Sequence, residues 1–280
     1  MPVINPQDQF TLLVEDCRLG WLRRPIAHKD RVRFEAFKPN VDLSDVPVFW
    51  VQGENIRPDL ETLVKAMERL EQRTLHLPYP RCAFFTLLPA DHPGIIDAKF
   101  RYAHLYVILI DEDDEGLSLT PFMKHETMDH WARQVFELFI PFGSNDIITS
   151  IDPSWGLYPD DFLMAVHTSL VSRIELLLCD LHKLTSVTGQ AKPAISGKVA
   201  DRVNQRRDKL GLPGIAPMRI IDLNAPPPEE RGKSGPTGVT RKPHWRRGTW
   251  RHYKSGKASW VGPVAIHGGG GPPPWYELRQ

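Results

Sequence analysis

A chain of 280 residues can bury a substantial core as one large domain or two modest ones, and its net charge of +1 excludes nothing by itself. The distribution is more telling: residues 231–280 hold ten Lys/Arg against one acid, while residues 1–230 hold 25 Lys/Arg against 33 Asp/Glu. A basic tail behind an acidic body is the pattern of a nucleic-acid-binding arm.

The cysteines Cys17, Cys82 and Cys179 follow no CxxC spacing, so neither a zinc site nor a disulfide framework is expected. There is no basic–apolar–small leader and no apolar run approaching ~18 residues. The expectation is a reduced, cytoplasmic protein with no membrane partner.

In chain order, Phe10–Val14, Arg31–Phe37 and Val46–Val51 read as strands. Pro58 reads as the first helical position, and Leu60, Leu63, Val64, Met67 and Leu70 recur at helical spacing before Pro78. Cys82–Leu88 and His104–Ile110 are continuous enough for the centre of a sheet. The acidic run Asp111-Glu112-Asp113-Asp114-Glu115-Gly116, followed by the alternating Leu117–Phe122, predicts a hairpin with an acidic tip. Such carboxylates can hold a divalent cation or serve in acid–base work, although a solvated turn is the commoner role.

Met128, Trp131, Ala132, Val135, Leu138 and Phe139 predict a second helix, with His125, Glu126 and His130 at its start. A zincin needs two histidines four apart with Glu directly after the first; these are five apart, so no metalloprotease is read. Asp160 or Asp161 caps the longest helix, which runs to about Leu184 and buries Leu163, Val166, Leu170, Ile174, Leu177 and Leu181. His167, near that stripe, reads as a core-edge histidine. Helical ribonucleases separate an Arg from a following His by four to six intervening residues; Arg173 and His182 are too far apart, and Arg69 and His76 match as many random pairs do. Lys198–Leu210 predicts a weaker helix with Arg202, Arg206, Arg207 and Lys209 on its polar side, stopped by Gly211. Met218–Leu223 predicts one more strand. The fold class is α+β, with a mixed or antiparallel sheet and several helices.

Behind a body of residues 1–224, residues 225–240 are a linker by their Pro and Gly content. Residues 241–267 form a basic–aromatic β-hairpin around Lys254-Ser255-Gly256-Lys257, and residues 268–280 a Gly/Pro tail. Alternation would put His244, Arg246, Gly248, Trp250 and His252 on one face, and Trp245, Arg247, Thr249, Arg251 and Tyr253 on the other. Both faces then mix cations with rings, which suits phosphates through the Arg fork and bases through stacking. The nucleic-acid-binding candidates are His244, Trp245, Arg246, Arg247, Trp250, Arg251, His252, Tyr253, Lys254, Lys257 and Trp260. The competing reading is a structural flap, with its tryptophans on the body and its arginines in water.

Asn204-Gln205-Arg206-Arg207, Met218–Leu223, the run Pro243–Arg251, Lys254–Lys257 and Trp260-Val261-Gly262-Pro263 together resemble the C-terminal region of a family of uncharacterised proteins carried by phages, plasmids and other mobile elements. That family includes an anti-CRISPR protein that prevents production of the type V-A effector nuclease by acting on its transcript during translation. The resemblance covers about the last 80 residues, and the Gly/Pro extension after His267 departs from it. It implies a mobile-element regulatory or counter-defence protein. The tail would contact RNA or a ribonucleoprotein, such as a transcript or a translating ribosome, and the body would contact a second protein. No cofactor is implied, and no catalytic residue is assigned. The alternatives are a metal-dependent nuclease with Asp111–Glu115 as its metal site, and a protein that docks on an acidic protein surface. On this reading residues 1–224 fold alone and do not bind RNA.

Overall fold

The runs Cys82–Leu88 and His104–Ile110 lie at the centre of a mixed sheet of twelve strands, as their continuous apolar character requires. The computed structural model describes residues 6–28, 31–52, 58–88, 104–125, 129–144, 146–151, 160–186, 192–193, 202, 204–206, 208–209, 218–223, 244–253, 255, 257–266 and 274–279. Helix α1 (Pro6–Leu19) leads into β1 (Arg23–His28), β2 (Arg31–Ala36) and β3 (Val48–Gln52). Helix α2 (Leu60–Glu71), β4 (Arg81–Leu88), β5 (His104–Glu112) and β6 (Gly116–His125) follow. Next come β7 (Ala132–Arg133), β8 (Phe136–Pro141), β9 (Ile148–Ile151), α3 (Asp160–Ser186), β10 (Lys192–Pro193) and β11 (Met218–Asp222). The C-terminal part contributes β12 (His244–Arg246), β13 (Thr249–His252), β14 (Ala258–Val261), β15 (Val264–Ile266) and β16 (Trp275–Arg279).

The sheet order is β10-β11-β16-β3-β4-β5-β6-β7-β1-β2, with β8 and β9 continuing from β6. β11, β16, β3 and β4 run parallel, and β4, β5 and β6 are antiparallel neighbours. The chain is α+β with a mixed sheet. Alternate residues feed two cores. Phe49, Phe84, Ile108, Ile110, Tyr276 and Leu278 meet α2 and α3, while Trp50, Phe85, Val107 and Trp275 meet α1 through Phe10, Leu13 and Cys17. Helices therefore cover both faces of the central strands, which is why those strands read as unbroken apolar runs.

Two predicted elements take the other secondary structure. Phe10–Val14 belongs to α1, because Phe10, Leu13 and Cys17 recur at helical spacing and are buried together. Residues 129–139 do not form the predicted helix: Phe136, Leu138 and Ile140 are buried and Glu137 is exposed, which is the period of a strand, and β8 pairs with β6 and β9. At α2 the N-cap is Asp59 and not Pro58, which stands one residue earlier. The predicted basic helix is helical at positions 202, 204–206 and 208–209. The proposed linker, residues 225–240, lies outside the described residues. Among the described residues no helix is long and apolar enough to cross a membrane.

The tail contains a sheet strand. β16 lies between β11 and β3, in register with both, and Trp275, Tyr276, Glu277 and Leu278 are all buried. Tyr276 stacks on Phe49 at 4.9 Å, and its hydroxyl bonds that of Tyr79 at 2.7 Å. The hairpin thus emerges between two strands, β11 and β16, that are neighbours in the sheet.

Candidate nucleic-acid interface

The hairpin forms around the expected turn. Trp250 pairs with Trp260 in β13–β14, and Trp245 with Ala265 in β12–β15, in one continuous register. Ladder pairing is interrupted at Arg247-Gly248 opposite Gly262-Pro263, where two physical causes coincide. Pro263 has no N–H to donate, and the Gly248 N–H donates instead to the Pro78 carbonyl of the body at 2.8 Å.

That interruption overrides the simple alternation of faces. Arg247 and Gly248 are adjacent, yet both face the body. Gly248 is buried so closely against Trp260 that a Cβ there would lie 2.4 Å from a ring carbon. Arg247 donates from Nη1 to the Leu184 carbonyl at 3.1 Å. Leu184 is in the last turn of α3, where carbonyls lack helical partners and the helix dipole favours a cation. Burial lowers the pKa of Arg247, and the nearby Tyr276 and Tyr79 oppose that shift; a guanidinium remains charged regardless. Arg247, expected as a phosphate contact, is a clamp on the end of a helix.

A second arginine completes the seat. Arg69, in the last turn of α2, donates to Thr185 Oγ1 at 3.0 Å and Ser186 Oγ at 3.3 Å, and to the Thr74 carbonyl at 3.0 Å. Its guanidinium lies 5.8 Å from the centroid of the Trp250 ring. Trp250 and Trp260 meet at 5.8 Å, and Trp260 stacks on His76 at 5.3 Å and 27°. His76 is held in turn by Glu112, Nδ1 to Oε1 at 2.7 Å. Trp250 and Trp260 are thus half-buried against Arg69 and His76, as the flap reading supposed. No family model, curated protein or solved structure matches this chain.

What stays in solvent is narrower than the predicted set. Arg246, Arg251, Tyr253 and Lys257 are exposed, Tyr253 by 49%. Arg251 faces Ser259 across the hairpin, and Tyr253 bonds the Ser259 hydroxyl at 3.2 Å and the Lys257 carbonyl through its own N–H at 2.8 Å. Directly opposed residues share a face. Arg251, Tyr253, Lys257 and Ser259 therefore form the outer face, opposite Trp250 and Trp260. The side chains of His244, Trp245, His252 and Lys254 lie outside the described residues.

The acidic run has structural partners. Asp111 pairs with Arg81; Glu112 holds His76 and accepts from the Leu77 N–H; Asp113 Oδ1 accepts from the Glu115 and Gly116 N–H groups. Among the described residues no group of three His, Cys, Asp or Glu could hold a metal ion. Arg69 and His76, the pair with ribonuclease-like spacing, engage different partners. Both sit in the seat of the hairpin, a role that spacing could not signal.

His182 marks the polarity of this seat. Burial pushes its pKa down to about 4, aided by Arg69, Lys65 and Lys183, so folding holds the ring neutral. Below its ordinary value of about 6.5 the unfolded chain binds a proton that the folded chain does not. Its stabilising contribution is thus complete above pH ~6.5 and is lost as pH falls toward 4. Replacing His182 with Asn should flatten the fall in melting temperature across that window. An unchanged slope would show that the ring is solvated.

Proposed function

We propose that this chain is a regulatory, counter-defence-type RNA-binding protein whose contact surface is the outer face of the docked C-terminal hairpin. The mobile-element setting comes from the resemblance of its C-terminal region. The supporting observation is the exposure of Arg246, Arg251, Tyr253 and Lys257 on a hairpin whose residues 241–267 include no acid. Two guanidiniums and an ammonium neutralise phosphates, and an exposed phenol ring offers a stacking platform for an unpaired base. Docking on Arg69, His76, Pro78 and Leu184 holds this face rigid, which reduces the ordering cost of binding. A second partner would meet the body.

Filter binding of single-stranded RNA over a salt series tests this. Arg251→Ala and Lys257→Ala should each reduce the slope of log K against log salt by about one unit. Tyr253→Ala should weaken binding by ~1–3 kcal/mol with the slope unchanged. Arg247→Ala should lower the melting temperature, because it removes a helix clamp. If the variant lacking all four exposed groups binds RNA as well as the parent does, the proposal fails. Loss of binding to an acidic polypeptide, with none to RNA, would mark an acidic protein surface as the partner.

A further inference from the structure

Among the described residues the buried charges are almost all provided for. Asp16 is engaged by His130 and the Trp131 N–H, and Asp180 and Glu277 also have partners. Arg173 is the exception. It lies on α3 with 8% of its surface exposed, and its Nε has no hydrogen-bond partner. Among the described residues no carboxylate pairs with it. Its one described neighbour of note is the Tyr106 ring, whose centroid is 5.9 Å from the guanidinium. A ring face offsets part of the desolvation of a cation but gives Nε no acceptor. A buried guanidinium without a counter-ion costs several kcal/mol or more, so such groups in folded proteins are paired.

Its place in the fold is informative. Tyr106 is opposite Thr86, near the carboxyl end of β4, and β4 is one of four parallel strands. Open sheets of parallel strands bind ligands outside those carboxyl ends. The hairpin sits at the other end, beside Pro78, before β4 begins. Burial pushes the pKa of Arg173 down to about 10, with Tyr106 opposing, so the group is still a full cation at neutral pH.

We propose that Arg173 anchors a binding site for the oxyanion of a small ligand, a phosphate or a carboxylate, at the carboxyl ends of the parallel strands. The bidentate fork of a guanidinium matches both, and the ligand would supply the missing counter-charge. The site is separate from the RNA-binding face and does not depend on it.

Thermal melting of the full chain tests this, with inorganic phosphate or acetate titrated against chloride at constant ionic strength. One anion should raise the melting temperature saturably, as binding to the native state does, and the anion that acts identifies the ligand class. Arg173→Met should abolish the rise, and its melting temperature in chloride should equal or exceed the parent's, since an unpaired buried charge has been removed. Arg173→Lys keeps the charge and loses the fork, and should give a weaker response. Because Lys retains the charge, it also serves if the Met variant fails to fold. The Arg251→Ala, Lys257→Ala double variant should respond as the parent does, which separates this site from the hairpin. No response to either anion, or an equal response in the Arg173 variants, overturns the proposal.

Discussion

A chain ending at residue 273 should lose cooperative folding altogether. The deletion removes β16, a strand paired on both sides, and exposes the contacts of Trp275, Tyr276 and Leu278 with both cores. Each large apolar side chain contributes about 1.5–3 kcal/mol by burial, and the sheet also loses two ladders of hydrogen bonds. The total is comparable with the whole stability of an ordinary domain, about 5–15 kcal/mol. Leu278→Ala is the graded version, with an expected loss of about 2–5 kcal/mol. Circular dichroism and urea unfolding would check both. A shortened chain that still melts cooperatively at the parent's temperature would show that β16 is dispensable. The same argument bears on residues 1–224, which were expected to fold alone. Without β16, β11 and β3 have no strand between them, so residues 1–224 should not fold alone.

Replacing Gly248 with Val should undock the hairpin while leaving the sheet intact. A Cβ at this position would meet the Trp260 ring at 2.4 Å and 2.9 Å, and that ring is held between His76 and Trp250. Overpacking of this kind costs about 1–3 kcal/mol when the neighbours can move. Here the relief would be withdrawal of the hairpin, which breaks the bond to the Pro78 carbonyl and the Arg247 clamp on α3. Trypsin should then cut quickly at Arg246, Arg247 and Arg251, and tryptophan emission should shift to the red. Slow cleavage with unshifted emission would mean that the ring finds room. The variant also informs the RNA reading: a rigid platform would lose affinity on undocking, whereas a free arm would gain accessible arginines.

Much of the core was legible because its signals are local. The continuous apolar runs of β4 and β5 need no partner to be recognised as central strands, and α2 and α3 show helical spacing over several turns. The hairpin turn was likewise announced by Ser255-Gly256 between two runs of alternating residues. Short apolar stretches were not so marked. Phe10–Val14 could satisfy either period until Cys17 joined its face, and Phe136–Pro141 needed its neighbours β6 and β9 to show which of its residues point inward.

The residues alone determined the α+β class, the main helices, the central strands and a hairpin crowded with cations and rings. Tertiary structure alone decided which of those groups meet solvent. Arg247 points inward because Pro263 breaks the ladder and the exposed carbonyls of α3 lie beneath it; Arg251, four residues on, points outward because it sits opposite Ser259. The insertion of β16 between β11 and β3 was equally unreadable. Trp275-Tyr276-Glu277-Leu278 is too short to declare its period, and strand pairing depends on which distant segments present matching edges, a choice no local pattern encodes.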